Sequence, residues 1–147
     1  MNPNVKAAEK LALLAALNPQ TVVNVEKFSG VADLASFHQV LGVVQLGDMA
    51  AEDITVKAYR CDADGSNAVA LKSADVLAAH ATANDNKQII INIRATELNE
   101  SSARYVKLGV VTSADAGGTV SGLILGVDAR FEPAAALNAA SVKQVVL

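Results

Sequence analysis

The sequence is poor in aromatic residues, which make up 3% of its 147 residues and include no tryptophan. Surfaces that bind glycans or single-stranded nucleic acids usually stack their ligands on aromatic rings. The chain's aromatics are scattered along it: Phe28, Phe37, Tyr59, Tyr105 and Phe131. Neither kind of surface is therefore favoured, and the core must be built from Val, Ile, Leu and Ala.

Basic clusters, disulfide pairs and long apolar runs are also missing. The formal net charge is −3, whereas proteins that bind DNA or RNA normally carry a basic patch. The single cysteine, Cys61, excludes an intramolecular disulfide framework. An uninterrupted apolar run of about 18 residues would suggest a membrane span. We therefore predict a single soluble domain with no nucleic-acid partner, no membrane span and no signal peptide.

The N-terminal residues 4–17 predict a helix. Asn2 and Pro3 suit a helix start, most of the following residues are strong helix formers, and a proline at position 19 ends the pattern. Leu13 and Leu17 lie on a second apolar face beside the main one. Two interpretations stay open: the helix packs on its own sheet, or residues 1–19 form an arm whose second face, with Leu13 and Leu17, binds another subunit.

Residues 20–133 predict a β-sandwich domain, organised around three successive strands between residues 87 and 131. The predicted strands cover residues 21–28, 37–46, 54–59, 68–72, 87–94, 104–112 and 119–131. Residues 114–118 suit a hairpin between the last two, and residues 73–82 fit either a short helix or a strand plus loop. Short strands with turn signals between them favour a mainly β, antiparallel, jelly-roll-like sandwich with an N-terminal helix and a C-terminal arm.

Alternation within these strands predicts which side chains share a face. Ile54, Val56 and Ala58 should face the core, with the residues between them outward. In the strand 119–131, one face carries the apolar residues at 123, 125 and 127, and the other carries glycines at 122 and 126. A glycine in the middle of a strand, such as Gly42, indicates a bulge or a close approach of another chain segment.

No pattern in the sequence predicts catalysis or a cofactor. Residues 62–67 look superficially like a calcium loop, but such a loop ends on a glutamate where this chain has Ser73, and it lies between helices. Nothing brings His38, His80 and Cys61 together, and a nucleophile needs a base that a third group holds in place. We therefore predict a solvated turn at 62–67, no metal, no cofactor and no enzymatic activity.

The run KQIIINIRATELNESSARYVKLGVV, followed by a strand that ends in VDARFEP, resembles small head-module proteins of tailed bacteriophages. This group includes capsid decoration, or cement, proteins. The segments TVVNVEKFSG and ITVKAYRCDADGSN fit the same layout, so the resemblance covers about residues 20–133. It implies a virion protein, made in the host cytoplasm, that stabilises the outer surface of the capsid by bridging major capsid subunits.

The resemblance implies no catalytic residues. A protein that occupies symmetric capsid positions is expected to be a homo-oligomer, and we expect a trimer. A receptor- or carbohydrate-binding sandwich of a phage spike or tail is the alternative. The scarcity of aromatics counts against that alternative.

Residues 134–147 predict a C-terminal arm. The arm begins with a run of alanines and ends in a segment of strong β-propensity that includes Val142, Val145, Val146 and Leu147. An apolar strand that stays unpaired is an aggregation hazard. We therefore expect these four residues to add to a sheet edge of a neighbouring copy or of a capsid subunit.

Overall fold

The structure, a computed structural model, describes residues 6–50, 52–76, 82–98, 103–113, 116–131 and 133–146. In chain order its elements are α1 (Ala7–Lys10), β1 (Ala12–Val22), β2 (Lys27–Phe28), β3 (Ala32–Asp33), β4 (Phe37–Leu46), β5 (Ile54–Cys61), β6 (Val69–Val76), β7 (Gln88–Arg94), a 3-10 turn (Ala95–Leu98), β8 (Tyr105–Thr112), β9 (Gly118–Ala129) and a second 3-10 turn (Ala134–Leu137). The predicted mainly β class is confirmed.

The strands form two antiparallel sheets that pack face to face. One sheet has the order β1-β9-β4-β7, and the other has the order β2-β8-β5-β6, with β3 also paired to β8. The core lies between them, and both sheets and their connections supply its largest fully buried side chains: Phe37, Leu34, Met49, Ile54, Ile93, Leu98, Leu108, Ile124, Val22, Val40, Val44 and Val56. The predicted antiparallel β-sandwich is therefore confirmed.

Alternation assigns the inward faces of several strands correctly. In β5, Ile54, Val56 and Ala58 are buried and the residues between them are half-buried. In β7 the isoleucines at 89, 91 and 93 are buried and their neighbours are exposed. Gly42 marks a close approach and not a bulge, because a Cβ there would lie 3.0 Å from a methyl of Leu108.

The predicted N-terminal helix is wrong for most of its length, because residues 12–17 belong to β1. The helix is limited to Ala7–Lys10, and β1 pairs with β9 along its length. A bulge between Leu13 and Ala15 places Ala12, Ala15 and Leu17 on the inner face. The three-residue step from 12 to 15 imitates helical spacing. Burial and pairing with β9 outweigh the helix propensity of these residues.

The predicted hairpin at 114–118 is also wrong. Strand β8 pairs with β5 on one side and with β2 and β3 on the other, while β9 pairs with β1 and β4. Neither strand keeps a free edge for the other, so the chain crosses from one sheet to the other between them, as connections in sandwiches commonly do. The segment that the sequence left open resolves as far as Val76 into β6, and residues 77–81 lie outside the described residues.

The C-terminal residues divide into a packed part and an exposed part. Ala134 is fully buried beside Ala12 and Phe37. The backbone N–H of Leu13 donates to the side-chain oxygen of Asn138 over 2.7 Å, and the N–H of residue 139 donates to the Leu13 carbonyl over 2.7 Å. Residues 142–146 form no regular structure, and residue 147 lies outside the described residues.

Candidate interaction surface

The outer face of the four-stranded sheet carries apolar side chains on β9, while two positions on the inner face of the same strand are closely packed glycines. A Cβ at Gly126 would lie 2.7 Å from three ring atoms of Phe37, and Gly122 also faces inward, beside Leu17. The alternate residues of β9, among them Leu123 and Leu125, therefore point away from the core. The strand thus presents aliphatic residues on its outer face as well as inside, where Ile124 is buried.

The register of the sheet gathers these residues into one surface, since residues directly opposite each other in neighbouring strands share a face. We call it the neutral face. Its members are Leu13 and Ala16 from β1, Ser121, Leu123, Leu125 and Val127 from β9, Gln39, Leu41, Val43 and Gln45 from β4, and Gln88, Ile90, Asn92 and Arg94 from β7. Arg94, at the end of an edge strand, is its one charged residue.

The neutral face has an apolar centre and a rim of amide side chains. Two adjacent cross-strand rows form the centre. One contains Leu125 and Leu41, and the other contains Leu123, Val43 and Ile90. Ile90 is 65% exposed and Leu123 42% exposed. An apolar centre depleted of charge, with a polar rim, is the usual composition of a protein–protein interface.

The outer face of the five-stranded sheet differs, because it carries charged residues and several of its polar groups have partners within the chain. We call it the charged face, defined by Phe28, Lys57, Tyr59, Asp75, Tyr105, Lys107 and Val111 on strands β2, β5, β6 and β8. The Tyr59 hydroxyl donates to a Glu26 carboxylate oxygen over 2.7 Å. Burial, with the Glu26 hydrogen bond and charge, raises the pKa of Tyr59 to about 12.

Cations lie over the aromatic rings of the charged face. The ammonium of Lys107 is 4.1 Å from the centre of the Phe28 ring and also donates to the Gly65 carbonyl over 2.7 Å. The guanidinium of Arg104 is 5.0 Å from the centre of the Tyr105 ring. One face of each of these two rings is therefore occupied, which disfavours stacking of a sugar or a base there.

The turn at 62–67 uses its carboxylates on its own donors. Asp64 accepts from the backbone N–H and the hydroxyl of Ser66, over 2.9 and 2.6 Å, and these bonds lower the Asp64 pKa. Asp62 accepts from the Asn67 amide over 2.7 Å. In the part of the chain that the structure describes, no three His, Cys, Asp or Glu side chains are grouped as metal ligands. This is the geometry of a self-bonded turn.

The other candidate reactive residues are separated in the fold. Cys61 is buried at the end of β5, and burial raises the pKa of its thiol. His38 is exposed on β4, in the opposite sheet. His80 lies outside the described residues. None of the described helices is long and apolar enough to span a membrane.

The predicted partner-binding residues fall into three groups. Leu13 belongs to the neutral face and is half-buried. Leu17 is in the core with 2% of its surface exposed, so its assignment to a partner is corrected: it packs inside its own chain. In the C-terminal segment, Val146 is 82% exposed and Val145 39% exposed, while Val142 is half-buried. Leu147 lies outside the described residues.

Sequence reasoning missed the neutral face, although its residues stand in plain alternation. Leu123, Leu125 and Val127 were placed together on one face, but they were not joined with Leu41, Val43 and Ile90. The joining depends on which strands are neighbours. A usable signal was the presence of aliphatic residues on both alternating faces of the strand 119–131.

No protein-family model matches the chain, and no curated protein matches its sequence. Among solved structures, the chain is similar to the VP2 subviral particle of infectious bursal disease virus, with 12% identity and a TM-score of 0.51 over 86% of this chain and 34% of the viral chain. The chain therefore spans about a third of that capsid protein.

Two weaker likenesses are a Bacillus endospore appendage pilus protein, with a TM-score of 0.47, 12% identity and coverage of 87% and 99% of the two chains, and the xylan-binding module CBM15, with a TM-score of 0.40, 15% identity and coverage of 84% and 94%. At these identities the likeness concerns the fold alone.

Proposed function

We propose that the protein is a structural virion component that decorates a tailed-phage capsid and attaches to it through its C-terminal segment. The observation that carries this proposal is a largely apolar, β-prone segment, residues 142–146, that pairs with no strand among the residues that the structure describes. Its exposed valines at 145 and 146 would be a liability unless a partner covers them. A fold similar to that of a viral capsid protein is compatible with such a role.

The segment leaves the sandwich from a fixed point. Leu13 on β1 holds Asn138 and the following residue by two hydrogen bonds of 2.7 Å. Beyond them, the segment adds to a sheet edge of the partner by strand augmentation. Each backbone hydrogen bond contributes about 1 kcal/mol net, so a strand of five or six residues supplies a few kcal/mol before its ordering entropy is subtracted.

We favour a capsid subunit as the acceptor, because the edges of the chain's own four-stranded sheet are partly engaged, which leaves β6 of the other sheet as the edge that a neighbouring copy would offer. On β7, the Asn92 carbonyl accepts from the Lys72 ammonium over 2.6 Å. On β1, Ala16 and Leu13 accept backbone hydrogen bonds from residues 30 and 139. A lysine on an edge is a common device against pairing with another strand.

Deletion of the free segment tests this attachment. A chain that stops after Ser141 keeps Ala134 and Asn138 and loses only residues 142–147. We expect unchanged circular dichroism and thermal unfolding, and a loss of most copies from virions in a sedimentation assay. The control Lys143→Ala with Gln144→Ala keeps the valines and should still attach. A truncated chain that attaches as well as the full chain contradicts the proposal.

Labelling of virions separates this function from the alternative of a receptor- or carbohydrate-binding protein. Gold-labelled antibody should decorate heads in many copies, whereas label confined to the tail tip would favour receptor binding. The ring faces occupied by Lys107 and Arg104 already disfavour a sugar site on the charged face. The expected trimer stays a prediction, and native mass spectrometry of the protein released from virions measures it.

A further inference from the structure

We infer that the neutral face is a docking surface for the neutral face of a second copy of this chain, related by a two-fold axis. This goes beyond the proposed attachment to a capsid, since it concerns a different surface and needs no particle. Two observations carry it: the near absence of charge on a sheet face with exposed aliphatic residues, and the area of that face.

The composition of the neutral face fits a copy of itself. In a two-fold interface the same surface meets itself, so a charge near the centre meets a like charge. The apolar centre around Leu123 and Val43 carries no charge, and Arg94 lies away from it, at a corner of the face. The rim residues Gln45 and Gln88 each carry a donor and an acceptor, so each can pair with the same residue type. A partner recognised by its charge would require a charged surface here.

The area of the face suits a weak, concentration-dependent dimer. Four strands at a spacing of about 4.8 Å span about 19 Å. The strand β7 has seven residues, and the members of the face on β4 cover the same length, about 23 Å. Two such faces together cover about 900 Å², in the range of weak or transient interfaces. Face-to-face packing of two sheets about 10 Å apart makes a four-layer assembly.

The inference gives the oligomer a definite symmetry. A face that meets itself closes after two copies, so it gives a dimer in place of the trimer expected from the sequence. The C-terminal segments leave from the edge of β1 beside Leu13, and a chain that stops after Ser141 measures their part in the dimer separately. Loss of the dimer and loss of capsid attachment are therefore separable results.

Substitutions with a matched control test the interface in the full chain. Leu123→Lys and Ile90→Lys place a charge on the neutral face, and Val69→Lys places one on β6 of the other sheet, at a residue of similar exposure (47%). By sedimentation velocity from low micromolar to submillimolar concentration, the wild-type mass should rise from that of one 15.1 kDa chain to that of two. Each neutral-face variant should raise the dissociation constant by about 100-fold or more, since it buries two lysines per dimer. The Val69→Lys value should stay within about twofold of the wild type, since that position lies outside the interface.

Circular dichroism and the thermal midpoint verify that each variant folds. Ile90 is 65% exposed, so its variant keeps the test decisive if Leu123→Lys does not fold. A second measurement uses a short bismaleimide cross-linker, which should join chains carrying Leu123→Cys much faster than chains carrying Val69→Cys, because Cys61 is buried in both.

Three results would overturn the inference. The first is a wild-type chain that stays monomeric throughout the concentration range. The second is equal cross-linking of the two cysteine variants. The third is a dimer that survives both lysine substitutions and disappears when the chain stops after Ser141, because the C-terminal segment would then hold the copies together.

Discussion

The two outer faces of the sandwich differ in how their side chains are arranged towards solvent. On the charged face, polar groups and rings are paired within the chain, as with Tyr59 and Glu26 or with Lys107 and Phe28. On the neutral face, Ile90 and Leu123 stay exposed, and the polar residues around them are mostly uncharged amides. The first face satisfies several of its polar groups within the chain, although Phe28 is 44% exposed, whereas the second is covered by a partner in our inference.

Packing between the sheets contributes to this difference. Phe37 occupies the space that a side chain at Gly126 would need, so β9 cannot place its large residues inward at that position. Two-residue alternation then carries aliphatic residues to the outside. In β8, by contrast, Val106, Leu108 and Val110 all face inward, and Tyr105 and Lys107 face outward. Close packing at Gly126 thus accompanies aliphatic residues on the outer face of the same strand.

The largest expected effect comes from forcing a side chain into the inner face of β9. Gly126→Val should lower the free energy of unfolding by about 1–3 kcal/mol, because the added carbons overlap the Phe37 ring. Leu123→Ala, three residues earlier on the outer face, should cost less than about 1 kcal/mol in the monomer, because the side chain is 42% exposed. Urea unfolding at a concentration below dimer formation measures both. Equal costs for the two variants would break the comparison between the inner and outer faces.

A smaller effect is expected from removing a partner on the charged face. Glu26→Gln should lower the pKa of Tyr59 from about 12 part of the way towards its ordinary value of 10, because burial, the largest cause of the shift, remains. The raised pKa means that the folded chain holds this proton more tightly than the unfolded chain does. The resulting stability is fully present below pH 10 and is lost as the pH rises towards 12.

Ultraviolet titration of the phenolate follows Tyr59 directly, and a Tyr105→Phe background removes the second signal. The dimer should be unaffected by Glu26→Gln. A Tyr59 pKa that does not move in the variant would mean that the hydroxyl contact to Glu26 is absent in solution.

The smallest effect is expected from salt on the dimer. Because the neutral face has a single charge per copy, raising sodium chloride from low to high concentration should change the dissociation constant by less than about threefold. The exposed ion pair of Arg104 and Asp33, 2.7 Å apart, serves as the contrast. Its coupling, from a double-mutant cycle with Arg104→Ala and Asp33→Ala, is expected to be at most about 1 kcal/mol and to fall with salt. Sedimentation at several salt concentrations measures the dimer, and strong weakening with salt would indicate a charged interface.

The sequence was sufficient for the fold class and for the inward faces of strands with regular alternation. Ile54, Val56 and Ala58 alternate with half-buried residues, so a two-residue period identifies them as the inward side chains. β1 lacks this regularity, because its bulge changes the step between inward residues from two to three. Alanine and leucine suit a helix as well as a buried strand, so only the pairing partner β9 decides between the two.

The order of the strands in the sheets, and which face of each strand points inward, could not be predicted from the sequence for a related reason. The connection after β8 is short enough for a hairpin, yet both of its flanking strands are already paired on each side. Alternation says that Leu123 and Leu125 share a face, but it does not say that this face is the outer one. Phe37, which comes from β4 far away in the chain, is one of the contacts that decide this choice.

The most direct test of the two-face account is solvent exposure of labelled methyl groups by nuclear magnetic resonance, with a soluble paramagnetic probe. The account predicts that the methyl signals of Leu123, Val43 and Ile90 become protected from the probe as the protein concentration rises. The signals of Val69 and Val111, on the other sheet, should keep their exposure at every concentration. Protection of Val69 and Val111 with no change at Leu123 and Ile90 would contradict the assignment of the neutral face as the interface.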